Sequence, residues 1–285
     1  MIKNLVFAGG SSYVEAYVGA LVYLAKNGCL KDVHRYAGTS AGAMIACLLA
    51  AGYDVSELHA LGAELNQHDI VERKGMLRDA YHLCMGFGVS EGNVIRSTVL
   101  GLLEKKLLIR NPTFADLPPG VQLVVVGTNI TKRKRILFSR QATPTMSIAD
   151  AVSISTRLPL VFKPWTDKNG DHLVDGGVSD NYPLEVFDAQ NVNLNETLGL
   201  RTAIDVSNRP PARNIAAYLA QVINSLCKSP ETIENELPQN QRRTMKITVP
   251  LVQDSLKISD AESRALYASG SAAAKSYCIA FADTV

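Results

Sequence analysis

A chain of 285 residues with 47% hydrophobic and 20% charged side chains can bury one large core, and its make-up is that of an ordinary globular protein. A formal net charge of +2 at pH 7, with no stripe of basic and aromatic residues, argues against nucleic acid as a partner. No run approaches the roughly 18 apolar residues of a membrane span, and MIKNLVFAGG has only about four apolar residues in a row before its glycines, too few for the core of a signal peptide, so a cytoplasmic protein is expected.

In chain order, short apolar runs alternate with longer periodic ones, the pattern of helices layered on a sheet. Residues 4–8 read as a buried strand broken by Gly9-Gly10, and residues 14–27 as a helix closed by Gly28. Residues 33–37 predict the second strand and 41–51 the next helix, with Gly52 past its end. Asp54 and Glu57 form a capping-box pair for a helix over 55–66. Residues 67–90, rich in Gly, His and Met, show no clean period, whereas 91–106 are again helical. LVVVGTNI at 123–130, then KRKR, then ILFS predicts a β-hairpin, and Ser147 caps a helix running to Ser155. HLVDGG predicts a short strand and a turn, and TLGLRTAI at 197–204 a further strand. Helices near 214–228 and over 260–282 flank a strand at 246–250, the last helix opened by the pair Ser259 and Glu262. No repeat or low-complexity linker interrupts the chain, so a single domain over residues 1–285 is expected. Its five cysteines are odd in number, scattered and without C-x-x-C, which reads as reduced thiols with no metal duty.

One segment carries chemistry. In Gly38-Thr39-Ser40-Ala41-Gly42 a serine stands between a predicted strand and a predicted helix, flanked by glycines and small residues. A nucleophile on such a turn needs small neighbours, because the backbone is strained and two main chains come close. The following AMIACLLAA has almost no polar face, so the helix should be buried, with its N-terminal dipole beside Ser40 favouring an oxyanion. The plainer reading of G-x-S-x-G is a tight helix-start turn.

A serine hydroxyl needs a base. Only 39 residues precede Ser40 and the last histidine is His172, beside Asp171 and Asp175 in a predicted strand, which does not fit the Ser, acid, His order of an α/β-hydrolase. The other candidate is the carboxylate of VDGGVSDNYP at 174–183. Asp175 ends a strand and precedes Gly176-Gly177, where the chain can turn sharply and approach another segment. Partial desolvation would raise its pKa toward the working range of a general base. An Asp-Gly turn of purely structural value is the alternative.

Taken together, the opening strand with its Gly-Gly loop and VGALVYL helix, the turn YAGTSAGAM, the segment SISTRLPLVFKP, the block VDGGVSDNYPLEVFD and the C-terminal strand and helix resemble the patatin-like phospholipases nearly end to end. That resemblance implies a three-layer α/β/α patatin-like fold with a central, mostly parallel sheet. It also implies a lipid acyl hydrolase acting on lipid or phospholipid esters through an acyl-serine, with Ser40 as nucleophile, Asp175 as base and neither cofactor nor metal. By the same likeness the amides of Gly9, Gly10 and Ser11 form the oxyanion hole, and Gly38, Gly42, Gly176 and Gly177 support the two motifs.

The first loop departs from the family pattern GGGxRG or GGGxKG. Ser11 stands at the third glycine, Tyr13 at the basic residue and Val14 at the last glycine. Losing one oxyanion donor typically costs about 10²- to 10³-fold in rate. Reduced activity, or a binding or structural role for an impaired enzyme, is therefore the second reading. Arg157 is a candidate to supply the missing positive charge to substrate, a plain surface or helix-end arginine being the alternative. The Lys132-Arg133-Lys134-Arg135 run suggests peripheral contact with an anionic membrane, against a plain solvated hairpin tip. Residues 76–89 have the apolar content of a lid over acyl chains, or of an irregular packed connection.

Overall fold

The protein is described from a computed structural model over residues 1–10, 13–65, 87–190, 193–204, 211–212, 218, 221–222, 225, 237–252 and 258–282. The first half is built of β1 (Asn4–Phe7), α1 (Val14–Lys26), β2 (Arg35–Thr39), α2 (Ala41–Ala50), α3 (Val55–Leu65), β3 (Gly88–Ser90), α4 (Asn93–Leu107), β4 (Gln122–Asn129) and β5 (Lys134–Ser139). Then follow α5 (Ile148–Ser155), β6 (Leu160–Phe162), β7 (Trp165–Thr166), β8 (His172–Asp175), β9 (Thr197–Ile204), α6 (Pro238–Arg242), β10 (Thr244–Val249) and α7 (Asp260–Ala282).

Eight strands form the main sheet in the order β10-β9-β1-β2-β4-β8-β7, with β5 paired to β4. The run from β10 to β4 is parallel, while β5, β7 and β8 add antiparallel pairs. Such parallel strands, covered on both faces, are largely apolar and buried: β1 and all of β4 except its first residue are buried. One face packs on the main core, to which α1, α2, α4, α5 and α7 contribute. The other carries a smaller cluster of Val6, Ala8, Ala37, Val124, Tyr182, Leu184 and Phe187. The fold is thus a three-layer α/β/α arrangement around a mostly parallel sheet, as expected.

The chain goes from β1 to β2 and β4 on one side and returns to β9 and β10 on the other. In open α/β sheets ligands bind outside the carboxyl ends of the strands where the order reverses. Here that point is the end of β1, next to the end of β2.

Close helix packing comes from glycine. A Cβ at Gly19 would lie 2.1 Å from the carbonyl oxygen of Tyr267, and one at Gly270 would lie 1.8 Å from that of Ala16, so α1 and α7 touch backbone to backbone. The two capping boxes form as read. Asp54 N–H donates to Glu57 and Glu57 N–H to Asp54, and Ser259 and Glu262 repeat the pattern at α7.

Several expectations shift. The second strand runs 35–39 and not 33–37, because pairing with β1 and β4 begins at Arg35 and pairing with β4 continues through the buried, polar Thr39. The last strand begins two residues early, at Thr244, and β3 was not anticipated, a three-residue strand being too short to carry a period. Ser147 stands at the start of α5, but its hydroxyl donates to Asn111 instead of capping the helix. Most of the segment 214–228 and nearly all of the lid segment 76–89 lie outside the described residues, while residues 218, 221, 222 and 225 are helical.

Candidate active site

Two strand ends meet head to head along one edge of β4. β2 runs parallel to β4 and ends with Thr39 opposite Val126, whereas β8 runs antiparallel and ends with Asp175 opposite Gly127. Since β5 occupies the other edge of β4, β2 and β8 share this one, and their carboxyl ends abut. That register brings residues 135 positions apart together: Ser40 Oγ donates to Asp175 Oδ2 at 2.7 Å.

Ser40 links β2 to α2 with φ 52° and ψ −123°, a conformation that costs a residue with a Cβ about 1 to 3 kcal/mol. Neighbours from three other segments hold it. Its N–H donates to Ser155 Oγ at 2.8 Å, its carbonyl accepts from Ala43 and Met44, and Thr39 Oγ1 donates to the Asp180 carbonyl at 2.9 Å. The flanking glycines provide space, not unusual φ. A Cβ on Gly38 would sit 2.4 Å from Gly42, and one on Gly42 would sit 2.5 Å from the Phe7 carbonyl oxygen. Likewise a Cβ on Gly176 would lie 2.4 Å from the Val126 carbonyl oxygen.

The two hydrogen-bonded groups differ in environment. Ser40 is half-buried, whereas Asp175 is 4% exposed. Burial pushes the Asp175 carboxyl up to about 6, against the lowering effect of the hydrogen bonds from Ser40 and from Gly177 N–H. Oδ1 accepts that Gly177 bond at 2.7 Å, and Oδ2 faces Ser40. The Asp175 main chain is fixed as well, its N–H donating to the Arg157 carbonyl and its own carbonyl accepting from Thr128 Oγ1. Near neutral pH this carboxylate is ionised, but close enough to its pKa to accept a proton from a weak acid.

The loop after β1 borders the serine, since a Cβ on Gly9 would lie 3.4 Å from Ser40 Cβ. The sequence reading offered the Gly9 amide as an oxyanion donor, but it is committed: Gly9 N–H donates to the Asn181 carbonyl at 2.8 Å. Gly10 N–H has no partner among the described residues, while the Gly10 carbonyl accepts from Tyr13 N–H at 2.9 Å. Ser11 lies outside the described residues.

Arg157 corrects a second expectation. It is 6% exposed, and its guanidinium donates to the carbonyls of Glu91 and Lys163 at 2.9 and 2.7 Å while stacking on Trp165. A buried guanidinium bound to main-chain oxygens braces the loops around β3 and β6. The basic run is partly neutralised, Lys132 pairing with Asp171 at 2.6 Å and Arg135 with Asp180 at 2.5 Å. His172 starts β8, its ring beside Thr166 and Phe87, three residues from the carboxylate end of that strand. Sequence reasoning missed Ser155 and Asn181. Both lie inside segments it had singled out, and the available signal was a polar residue in an otherwise apolar or glycine-rich run.

A family model described as patatin-like phospholipase matches residues 5–188. An uncharacterised protein of Acanthamoeba polyphaga mimivirus is 30% identical over 229 residues, 78% of this chain and 74% of that protein. A protein of Invertebrate iridescent virus 6 named "Probable lipid hydrolase 463L" is 29% identical over 191 residues, 65% of this chain and 62% of the viral one. Among solved structures, VipD of Legionella pneumophila superposes with a TM-score of 0.64 at 18% identity, covering 97% of this chain and 66% of VipD. ExoU of Pseudomonas aeruginosa, solved with SpcU, gives 0.52 at 17% identity, covering 97% of this chain and 52% of that one. These two likenesses concern the fold, and the chain spans only part of each longer protein.

Proposed function

The chain belongs to the patatin-like phospholipase family, and from that premise we propose that it hydrolyses lipid esters with Ser40 as nucleophile and Asp175 as base. The observation that carries this reading is the 2.7 Å hydrogen bond from a half-buried hydroxyl to a buried carboxylate. Ser40 Oγ attacks the ester carbonyl carbon as its proton passes to Asp175 Oδ2, and a tetrahedral oxyanion forms. Collapse breaks the ester C–O bond, and Asp175 returns the proton to the departing alkoxide. Water then gives a proton to the same carboxylate and attacks the acyl-serine, releasing the fatty acid and restoring Ser40. One carboxylate serves both halves because its pKa of about 6 lets it take and return a proton near neutral pH.

Lipid as substrate class is supported by the family and by the viral relative named a lipid hydrolase. Arg133 and Lys134, exposed and without an ion-pair partner among the described residues, support contact with an anionic surface, each contributing about 1 kcal/mol. No helix among the described residues is long and apolar enough to cross a membrane.

A second reading, a patatin fold kept for binding with little catalysis, is favoured by the occupied Gly9 amide and the altered loop. A chromogenic short-chain ester and a fluorophosphonate probe separate the two. The hydrolase reading expects turnover and labelling in wild type, with both lost in Ser40→Ala and turnover lost in Asp175→Asn. A wild-type protein inert to ester and probe alike would establish the second reading.

A further inference from the structure

Around Ser40 three main-chain donors already have work. Gly9 N–H is held by the Asn181 carbonyl, Ser40 N–H by Ser155 Oγ and Gly177 N–H by Asp175 Oδ1. Gly10 N–H is the donor at the end of β1 with no partner among the described residues. Its direction is set by the peptide unit that it shares with the Gly9 carbonyl, because a trans peptide is planar and its N–H points opposite to its C=O. That carbonyl accepts from Asn181 Nδ2 at 3.3 Å. Residues on both sides of this peptide are glycines, so little in the chain itself prevents it from rotating to present an oxygen where the N–H stood.

We propose that Asn181 is a positioning residue for the hydrolysis inferred above: its side-chain amide anchors the Gly9 carbonyl and thereby keeps Gly10 N–H turned outward as the oxyanion donor. The inference rests on the Ser40–Asp175 reading and goes beyond it, by naming what orients a loop that lacks the usual third glycine. Asn181 is suited to this by its position. Its main-chain oxygen takes Gly9 N–H while its side chain takes Gly9 O, so the two peptide units flanking Gly9 are held from one residue. Its Oδ1 fills the space left by two glycines, 2.1 Å from where a Cβ on Gly9 would stand and 2.9 Å from one on Gly177. Asn181 therefore ties the donor loop to the turn that follows the base, across 172 residues of sequence.

The test uses the full chain with wild type, Asn181→Ala and Asn181→Asp. Aspartate keeps the shape but replaces the donor facing Gly9 O with an acceptor. Each protein is assayed with a chromogenic short-chain ester, and for affinity with two ketones of matched chain. A trifluoromethyl ketone adds Ser40 and develops an oxyanion, whereas a methyl ketone of the same length stays trigonal. The expected result is a fall in kcat of about 10²-fold with KM little changed. The trifluoromethyl ketone should weaken by a similar factor and the methyl ketone by less than about twofold, with Asn181→Asp at least as impaired as Asn181→Ala. Should Asn181→Ala fail to fold, the isosteric Asn181→Asp carries the same comparison. Rates within about twofold of wild type, or a loss of kcat in which the trifluoromethyl ketone keeps its affinity, would overturn the assignment while leaving the hydrolase reading intact. A wild type that neither turns over ester nor binds the trifluoromethyl ketone better than the methyl ketone would remove that reading and this inference with it.

Discussion

The turn after β2 and the loop after β1 lie side by side, and they solve the same problem in opposite ways. At the turn after β2, strain is concentrated on one non-glycine residue, Ser40, with glycines two positions to either side providing room for main chains to approach. The helix that follows, the Ser155 hydroxyl that accepts the Ser40 N–H and the bond from Thr39 to the Asp180 carbonyl over-determine it. In the loop after β1 neither glycine has positive φ, and the geometry is imposed from outside by Asn181. A strained residue that many contacts fix is rigid whatever its solvent exposure, whereas a relaxed glycine pair is only as ordered as the side chain that holds it.

The comparison can be broken first at the Ser40–Asp175 pair. Asp175→Asn should reduce kcat/KM on the order of 10⁴-fold, measured with the chromogenic ester, since an amide cannot take the Ser40 proton. The same change should raise the melting temperature at pH 8. Burial lifts the folded carboxyl to about 6 from its ordinary 3.8, so its stabilising share is present at low pH and disappears as pH rises through 6. Removing the buried charge thus adds up to about 3 kcal/mol above that pH. An unchanged melting temperature would show that the carboxyl is not desolvated.

Steric tests come next and separate the two loops directly. Gly42→Ala drives a Cβ against the Phe7 carbonyl, a main-chain atom, and should destabilise by about 3 kcal/mol in urea unfolding. Gly10→Ala, whose nearest neighbour is the Tyr17 hydroxyl at 3.3 Å, should change stability by less than about 1 kcal/mol. Equal effects at the two positions would contradict the contrast. Ser155→Ala leaves the Ser40 N–H without its buried acceptor and should lower stability by about 1 to 3 kcal/mol, read by the same unfolding curves. The mildest perturbation is pH itself. The log of kcat/KM should fall with unit slope below about pH 6, as Asp175 becomes protonated and stops accepting, and should be level just above it. A limb near pH 4 would mean a solvated base.

Much of the architecture was legible. β9 and α7 fall residue for residue where the pattern put them, because both carry local signals: an apolar strand in one case, a capping box and a helical period in the other. The strand before Ser40 was misplaced by two residues, since the pattern rewarded Val33 while the sheet selected the polar but buried Thr39. For Arg157 the sequence leaves substrate contact and a surface or helix-end place open, because its charge is visible in sequence and its burial is not.

Residue type and local pattern by themselves determined the alternating helix and strand plan, the glycine-flanked serine and the aspartate before two glycines, for these depend on neighbours within a few positions. Only tertiary structure decided that β2 and β8 abut on β4, that the aspartate is desolvated beside the serine, and that Asn181 reaches Gly9. Those outcomes depend on strand register and burial, which are properties of segments more than a hundred residues apart and leave no trace in the short-range spacing of any one of them.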